Sequence, residues 1–411
     1  MTRLKAYRFP LFLIAAIIIG SILGILLGER AEVLKPLGDI FLNLMFTIVV
    51  PLVFFSISAV IANMSNLKRL GTIMTWMMIV FIVTGIISSI VMIAAVTLSP
   101  PAAGVSIQFE TPEEIDESLS LGAQIVQAVT VPDFVDIFSR TSMLALIIMS
   151  VLVGFATNLA GSEGRIFAQF LNSGAQVMRK LVGIIMYYAP IGLGAYFASL
   201  VGVFGPELLG SYAKAMIVYY PVAILYFLIG FTLYAFIAGG KSGVKVFWKN
   251  NLTPAVTALS TGSSVATIPA NLQATEKMGV HKDVRDVVIP LGASIHMDGS
   301  ALAAILKIAF LFGIFQMDFL SFQTFAIAIG ISLLVGTVMS GVPGGGFIGE
   351  MLIITMYGFP MEALPILAIL GTLVDPPATM VNASGDAVSS MLVSRAVEGD
   401  EWMDEAERPA S

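Results

Sequence analysis

Asp375, Thr379, Asn382 and Asp386 recur at i, i+4, i+7 and i+11 in an otherwise apolar stretch. At about 100° per residue they fall within a narrow helical stripe. A charge at the centre of a bilayer costs from about 3 to 10 kcal/mol, so acids in such a stripe face a cavity or a partner. A row of carboxylate, hydroxyl and amide can hold a polar solute and a hard cation side by side. The plainer alternative is hydrogen-bonding glue between helices, which uses Ser, Thr and Asn; two aspartates exceed that need. Asp375 has a second structural alternative, because Pro376 and Pro377 follow it. It could N-cap a broken helix.

A second constellation is Ser294-Ile-His-Met-Asp-Gly-Ser300. Gly299 permits unwinding, which would free backbone carbonyls beside Asp298, and oxygen ligands suit Na+. The alternative is a buried aspartate satisfied by backbone N–H groups. His296, two positions away, is a candidate proton site, although a lone buried histidine is more often a packing residue. Lys307 is the one Lys or Arg between Arg285 and Arg395. It is expected to snorkel to an interface or to pair with an acid, and not to bind substrate. Glu350 is either at the mouth of a hairpin or a hidden titratable group.

Both constellations follow polar interruptions of the apolar sequence. One is Leu259-Ser-Thr-Gly-Ser-Ser-Val-Ala-Thr-Ile-Pro269 and the other Ser340-Gly-Val-Pro-Gly-Gly-Gly346. Irregular backbone at membrane depth survives only where protein or a water-filled cavity satisfies it. A matched pair of such breaks, with acids behind each, marks the central site of a secondary transporter. Composition agrees: 57% of the 411 residues are hydrophobic, 12% are charged, and the mean hydropathy is +0.93. Soluble domains do not look like this. Cysteine is absent, which excludes disulfides and thiolate metal sites. There is no basic stripe for nucleic acid.

At roughly 20 residues per span, the sequence predicts eight spans, near 10–28, 39–62, 71–98, 123–160 (broken), 179–203, 211–238, 286–314 and 360–394. Two shorter apolar pairs, 246–276 and 320–358, read as re-entrant hairpins of opposite polarity, an inverted repeat. Arg3, Lys5, Arg8, Lys68, Arg69, Lys241, Lys245, Lys249, Lys277, Lys282 and Arg285 fall on one side, which makes it cytoplasmic. Both termini are expected there, with a retained first helix rather than a cleaved signal. The acidic segment 99–122 is expected outside, and the hydrophilic tail 397–411 is expected to be disordered.

The chain resembles the dicarboxylate/amino acid:cation symporter family, the glutamate transporter homologues. Five motifs carry the resemblance: Tyr187-Tyr-Ala-Pro-Ile-Gly192, the Ser-rich tip at 263–269, His296-Met-Asp-Gly-Ser300, Gly341-Val-Pro-Gly344 and Thr379-Met-Val-Asn-Ala-Ser-Gly-Asp386. It implies an all-α membrane fold of eight transmembrane helices and two re-entrant hairpins. It also implies a bowl-shaped homotrimer in the inner (cell) membrane, working as an elevator. Scaffold helices would occupy 1–70 and 123–203. The transport part would comprise 71–98 and 211–396.

By the same resemblance, Asp375 would hold a substrate amino group and Asn382 its carboxylate. Thr379, Ser300, Ser263, Ser264 and Val342 would complete the pocket. Asp386, with Asn382 and carbonyls of span seven, would form one cation site; Asp298 with Thr84 a deeper one; and the Ser294 and Met297 carbonyls with hairpin two a third. The departures sharpen the reading. Where acidic-substrate members carry Arg in span eight, this chain has Ala378; the acid that steadies that Arg is Gly371; and hairpin one has Gly262 where some members carry Arg. Losing both partners avoids a stranded buried charge, and no bidentate partner remains for a side-chain carboxylate. The resemblance therefore implies uptake of an amino acid, neutral favoured, coupled to Na+. The family's usual Asn before Met-Asp-Gly is His296, the serine after Thr84 is Gly85 and a nearby Tyr is Phe81. Fewer sodium ions, or H+ at His296, would follow. A dicarboxylate or acidic amino acid symporter and a passive anion channel are the alternatives. Catalysis is not expected: Ser263 or Ser264, His296 and Asp298 can be drawn as a triad, but no nucleophile elbow or His-Glu-x-x-His is present.

Overall fold

A computed structural model describes residues 8–63, 68–102, 126, 130–139, 142–204, 206–339, 346–399 and 402–405. Among them all regular structure is helical. Helix α1 (Arg8–Leu27) leads through a 3-10 segment into α2 (Lys35–Ala62), and α3 (Lys68–Leu98) follows. After the short α4 (Phe134–Ile137) come α5 (Met143–Leu159), α6 (Gly161–Met186) and α7 (Ala189–Phe204). Helix α8 (Pro206–Leu225) passes through a π-turn at Tyr226–Gly230 into α9 (Phe231–Thr261). Then come α10 (Ser264–Lys277), α11 (Lys282–Ile295), α12 (Asp298–Ile314), α13 (Phe322–Val338), α14 (Gly346–Tyr357), α15 (Leu364–Glu398) and α16 (Trp402–Glu405).

Four helical runs among the described residues are long and apolar enough to cross a membrane: Gly71–Leu98, Leu209–Leu259, Lys282–Ile314 and Met361–Glu398. The bent pair α6 and α7, angled by 57°, adds a fifth. The packing forms two groups. Helices α1 and α2 lie against α5, α6 and α7, while α3, α9, α11 and α12 gather around α15. Close contact in the first group comes from glycine: a Cβ on Gly20 would overlap the carbonyl of Gly194, so α1 meets α7 backbone to backbone.

Several sequence expectations are corrected. Span five is not one helix over 179–203; α6 begins at Gly161 and the chain bends at Tyr187 and Tyr188. Span six ends at 238 as the sequence predicts: the backbone leaves the helix at Gly239 and Gly240, where Gly240 has φ +58, and the first arm of hairpin one follows directly. Asp375 is not an N-cap: α15 continues through Pro376 and Pro377, with its cap at Ala363. Gly299 is not the unwound residue. The break in span seven falls on His296 (φ −113, ψ 105) and Met297 (φ −139, ψ 67). Gly299 is helical and needed for closeness, because a Cβ there would overlap the Ala378 carbonyl.

The tip of hairpin two at 340–345, with Val342, lies outside the described residues, as do most of segment 99–122 and most of the tail.

Candidate functional site

The stripe on α15 faces two chain breaks. The first is the turn between α9 and α10. Gly262 takes the left-handed conformation (φ +58) that ends α9, and Ser263 then caps α10 by accepting the Ala266 N–H at 3.2 Å. Asp375 Oδ2 lies 3.3 Å from where a Cβ on Gly262 would stand, so glycine lets the hairpin tip close onto the half-buried carboxylate. Ser263 and Ser264 are buried beside that turn. Helix α10 is held to α15 by Asn271 Nδ2, which donates to the Ala383 carbonyl at 2.8 Å.

The second break is His296–Met297. The start of α12 is fixed to α15 by Asn382, whose Oδ1 accepts the N–H groups of Gly299 (2.8 Å) and Ser300 (3.1 Å), while its Nδ2 donates to Ser300 Oγ (3.0 Å). Asn382 thereby satisfies first-turn donors that have no helical partner. Tyr219 donates to the Gly299 carbonyl at 2.9 Å. Thr379 bonds its own helix, at the Asp375 carbonyl (2.8 Å). The structure thus brings Ser263, Ser264, Ser300, Asp375, Ala378, Thr379 and Asn382 around the junction of the hairpin tip, α12 and α15.

One step further along the stripe lies a buried charged cluster. His296 Nδ1 is 3.0 Å from Asp386 Oδ1, and its Nε2 is 2.9 Å from Thr84 Oγ1 and 3.3 Å from Asp298 Oδ1. Phe81 stacks on the imidazole, centroids 4.1 Å apart and planes at 19°. Tyr226 donates to Asp298 Oδ2 at 2.9 Å and lies 3.1 Å from the Tyr234 hydroxyl. Both ring nitrogens therefore have a partner, Nδ1 the Asp386 carboxyl and Nε2 the Thr84 hydroxyl, and the ring can be held in either its neutral or its protonated form.

The cluster holds two acids around one histidine, so with both carboxylates ionised it carries net negative charge whether or not the ring is protonated. Asp298 Oδ1 and Asp386 Oδ2 are buried without a hydrogen bond; the 3.3 Å approach of Asp298 Oδ1 to His296 is an ion contact only. Leaving such acceptors unmet costs about 1–3 kcal/mol or more each. A monovalent cation answers both the charge and the orphaned oxygens. The Met297 carbonyl faces hairpin two, 3.8 Å from a Cβ built on Gly336 of α13, and Ser294 is half-buried nearby in sequence.

Lys307 does not snorkel. It is buried on α12 and pairs with Glu350 of α14 at 2.8 Å, the side chains 5% and 2% exposed. Of the two expectations for Lys307, pairing with an acid is the one that holds, and Glu350 is the hidden group rather than a hairpin mouth. Sequence reasoning missed Tyr226 and Tyr234. The signal available was weak: two tyrosines eight apart with a single glycine, Gly230, between them, where the π-turn appears only in three dimensions. Such single π-turns often accompany functional sites.

An acid-lined helix packed against a broken helix and a capped hairpin thus lies in sequence apolar enough to cross a membrane. The family profile described as "Sodium:dicarboxylate symporter family" matches residues 9–396, and this chain belongs to that family. It is 29% identical over 401 residues to a proton/sodium-glutamate symport protein of Bacillus caldotenax (92% of this chain, 93% of the relative). It is 28% identical over 415 residues to a proton/glutamate-aspartate symporter of Bacillus subtilis (strain 168), 98% of each. It is also 26% identical over 398 residues to a C4-dicarboxylate transport protein of the same strain (93% and 92%).

Proposed function

We propose that this protein is a secondary active symporter that takes up an amino acid, with a neutral side chain favoured, coupled to Na+ and to H+ carried on His296. The observation that carries the reading is the charge balance around α15. Asp375 faces the hairpin tip as an acid suited to an amine, and Asp386 further along the stripe meets Asp298 in a cluster whose two buried carboxylate oxygens lack hydrogen bonds. Asn382 is committed to α12 through its Oδ1 and to Ser300 through its Nδ2. A substrate carboxylate would therefore be met by Ser300, Ser263, Ser264 and the tip of hairpin two at Val342, with Thr379 lining the pocket. Asp298, Asp386, Thr84 and the carbonyls near Ser294, Met297 and Asn382 would hold Na+. Names of relatives that include both proton and sodium are in keeping with mixed coupling.

The two packing groups support a division into a scaffold (1–70, 123–203) and a moving part (71–98, 211–396), with elevator motion between them. A homotrimer in the cell (inner) membrane, with both termini cytoplasmic, belongs to the same proposal. A dicarboxylate or acidic amino acid substrate is the second reading, favoured by the names of the relatives.

The test is concentrative uptake into proteoliposomes of neutral amino acids, glutamate and succinate under an imposed Na+ gradient. Neutral amino acids are expected to accumulate; accumulation of succinate alone would replace the proposal with the second reading, and no accumulation would favour a channel. A proton carried on His296 requires the protonated ring, so uptake at fixed Na+ should decline as pH rises, and His296→Asn should flatten that profile. An unchanged profile removes H+ from the mechanism.

A further inference from the structure

Among the described residues, Lys307 is the only buried lysine or arginine. Its position is set by a missing side chain. Gly371 on α15 lies one helical turn before Asp375, on the same face. A Cβ on Gly371 would overlap Glu350 Oε1 and come within 3.1 Å of Lys307 Nζ. The ion pair therefore fills the notch that glycine leaves in α15, one helical turn from Asp375. Among the described residues Lys307 makes one hydrogen bond, to Glu350, of the three an ammonium can donate. Glu350 sits on α14, the second arm of hairpin two, so the counter-charge of Lys307 comes from a different element than the lysine itself.

We infer that the Lys307–Glu350 pair is the specificity-determining element of the pocket: Glu350 masks the one buried lysine or arginine among the described residues, so the site accepts a zwitterion with an uncharged side chain. This rests on the amino-acid reading above. A buried pair with both partners present adds no net charge to its surroundings, whereas removing one partner uncovers a full charge. Masked, Lys307 offers nothing to a second substrate carboxylate. Unmasked, it would receive one, because an amine anchored on Asp375 places the rest of the solute within the field of the lysine. Gly371 is the enabling residue, since any side chain there would drive the two charges apart.

The experiment is a reciprocal charge series on the full-length protein in detergent, read as ligand-induced thermal shifts in Na+ with alanine, aspartate and ornithine. Glu350→Gln, which keeps an acceptor for Lys307, should gain aspartate binding relative to alanine by about tenfold or more, the effect of one uncovered charge. Lys307→Gln should instead shift the preference toward ornithine. Lys307→Gln/Glu350→Gln should return the ligand order of the wild type. A purely structural staple would lower stability in both single variants without reversing ligand preference by charge, and that result overturns the inference. Either single variant suffices if the other does not fold; failure of both to fold, with the double variant folded, also assigns the pair to structure and overturns it. Failure of the wild type to bind alanine counts instead against the amino-acid reading, and the charge series is then scored with whichever ligand does bind.

Discussion

Helix α12 carries two buried charged sites, and they are built on opposite principles. At its start, His296 is shared by Asp298 and Asp386, with two carboxylate oxygens left without hydrogen bonds. Nine residues beyond Asp298, Lys307 meets one acid, Glu350, at 2.8 Å. The first site is unbalanced and the second balanced. A buried charge that lacks a partner is costly, and a carrier can turn that cost into affinity for an ion it must move. A balanced pair needs nothing from solution, so it can shape what else the pocket accepts without binding a cation itself. The helix breaks where charge is in excess and stays intact where charge is matched.

The largest expected effect breaks the first site. Asp386→Asn should reduce Na+-driven uptake in proteoliposomes about a hundredfold, since a hydrogen-bonded charge is worth up to about 3 kcal/mol. Uptake that survives would mean the cation binds elsewhere and the contrast with Lys307 has no functional meaning. Next comes the balance of the second site. Lys307→Met alone should cost about 3–5 kcal/mol by stranding Glu350, whereas Lys307→Met/Glu350→Met should recover most of it. Denaturation of the purified protein measures both; a double variant as unstable as the single would show that charge matching is not what holds the pair. The smallest effect sharpens the first site. Tyr226→Phe removes the hydroxyl that donates to Asp298 Oδ2, and Na+ affinity should change by about 1 kcal/mol, or roughly fivefold, in thermal-shift titrations. An unaltered Na+ titration would take Asp298 out of the cation site.

Much of this site is written in local spacing. The stripe from Asp375 to Asp386 needs only the helical period, and the turn at Gly262 and Ser263 needs only glycine and a capping serine. Both are contacts between near neighbours in sequence, or follow from a single helix. The misreadings have one cause. Pro376 and Pro377 looked like a helix start, and Gly299 like a hinge, because local propensity was judged without the neighbours that override it. The real break sits at His296–Met297, and Gly299 serves the close approach of α12 to α15.

By itself the sequence determined that this is an apolar helical chain with acids on one face of its last long helix, and that its polar tips must lie within protein. Those follow from hydropathy, helical period and the cost of charge in lipid, which are properties of each segment alone. Only the tertiary structure decided which acid meets which base. Tyr226 reaches Asp298 across 72 residues, His296 reaches Asp386 across 90, and Lys307 finds Glu350 across 43. Pairings at such separations depend on how helices cross and on which side chains are absent at the crossing, as at Gly371, and no local pattern in the chain encodes that.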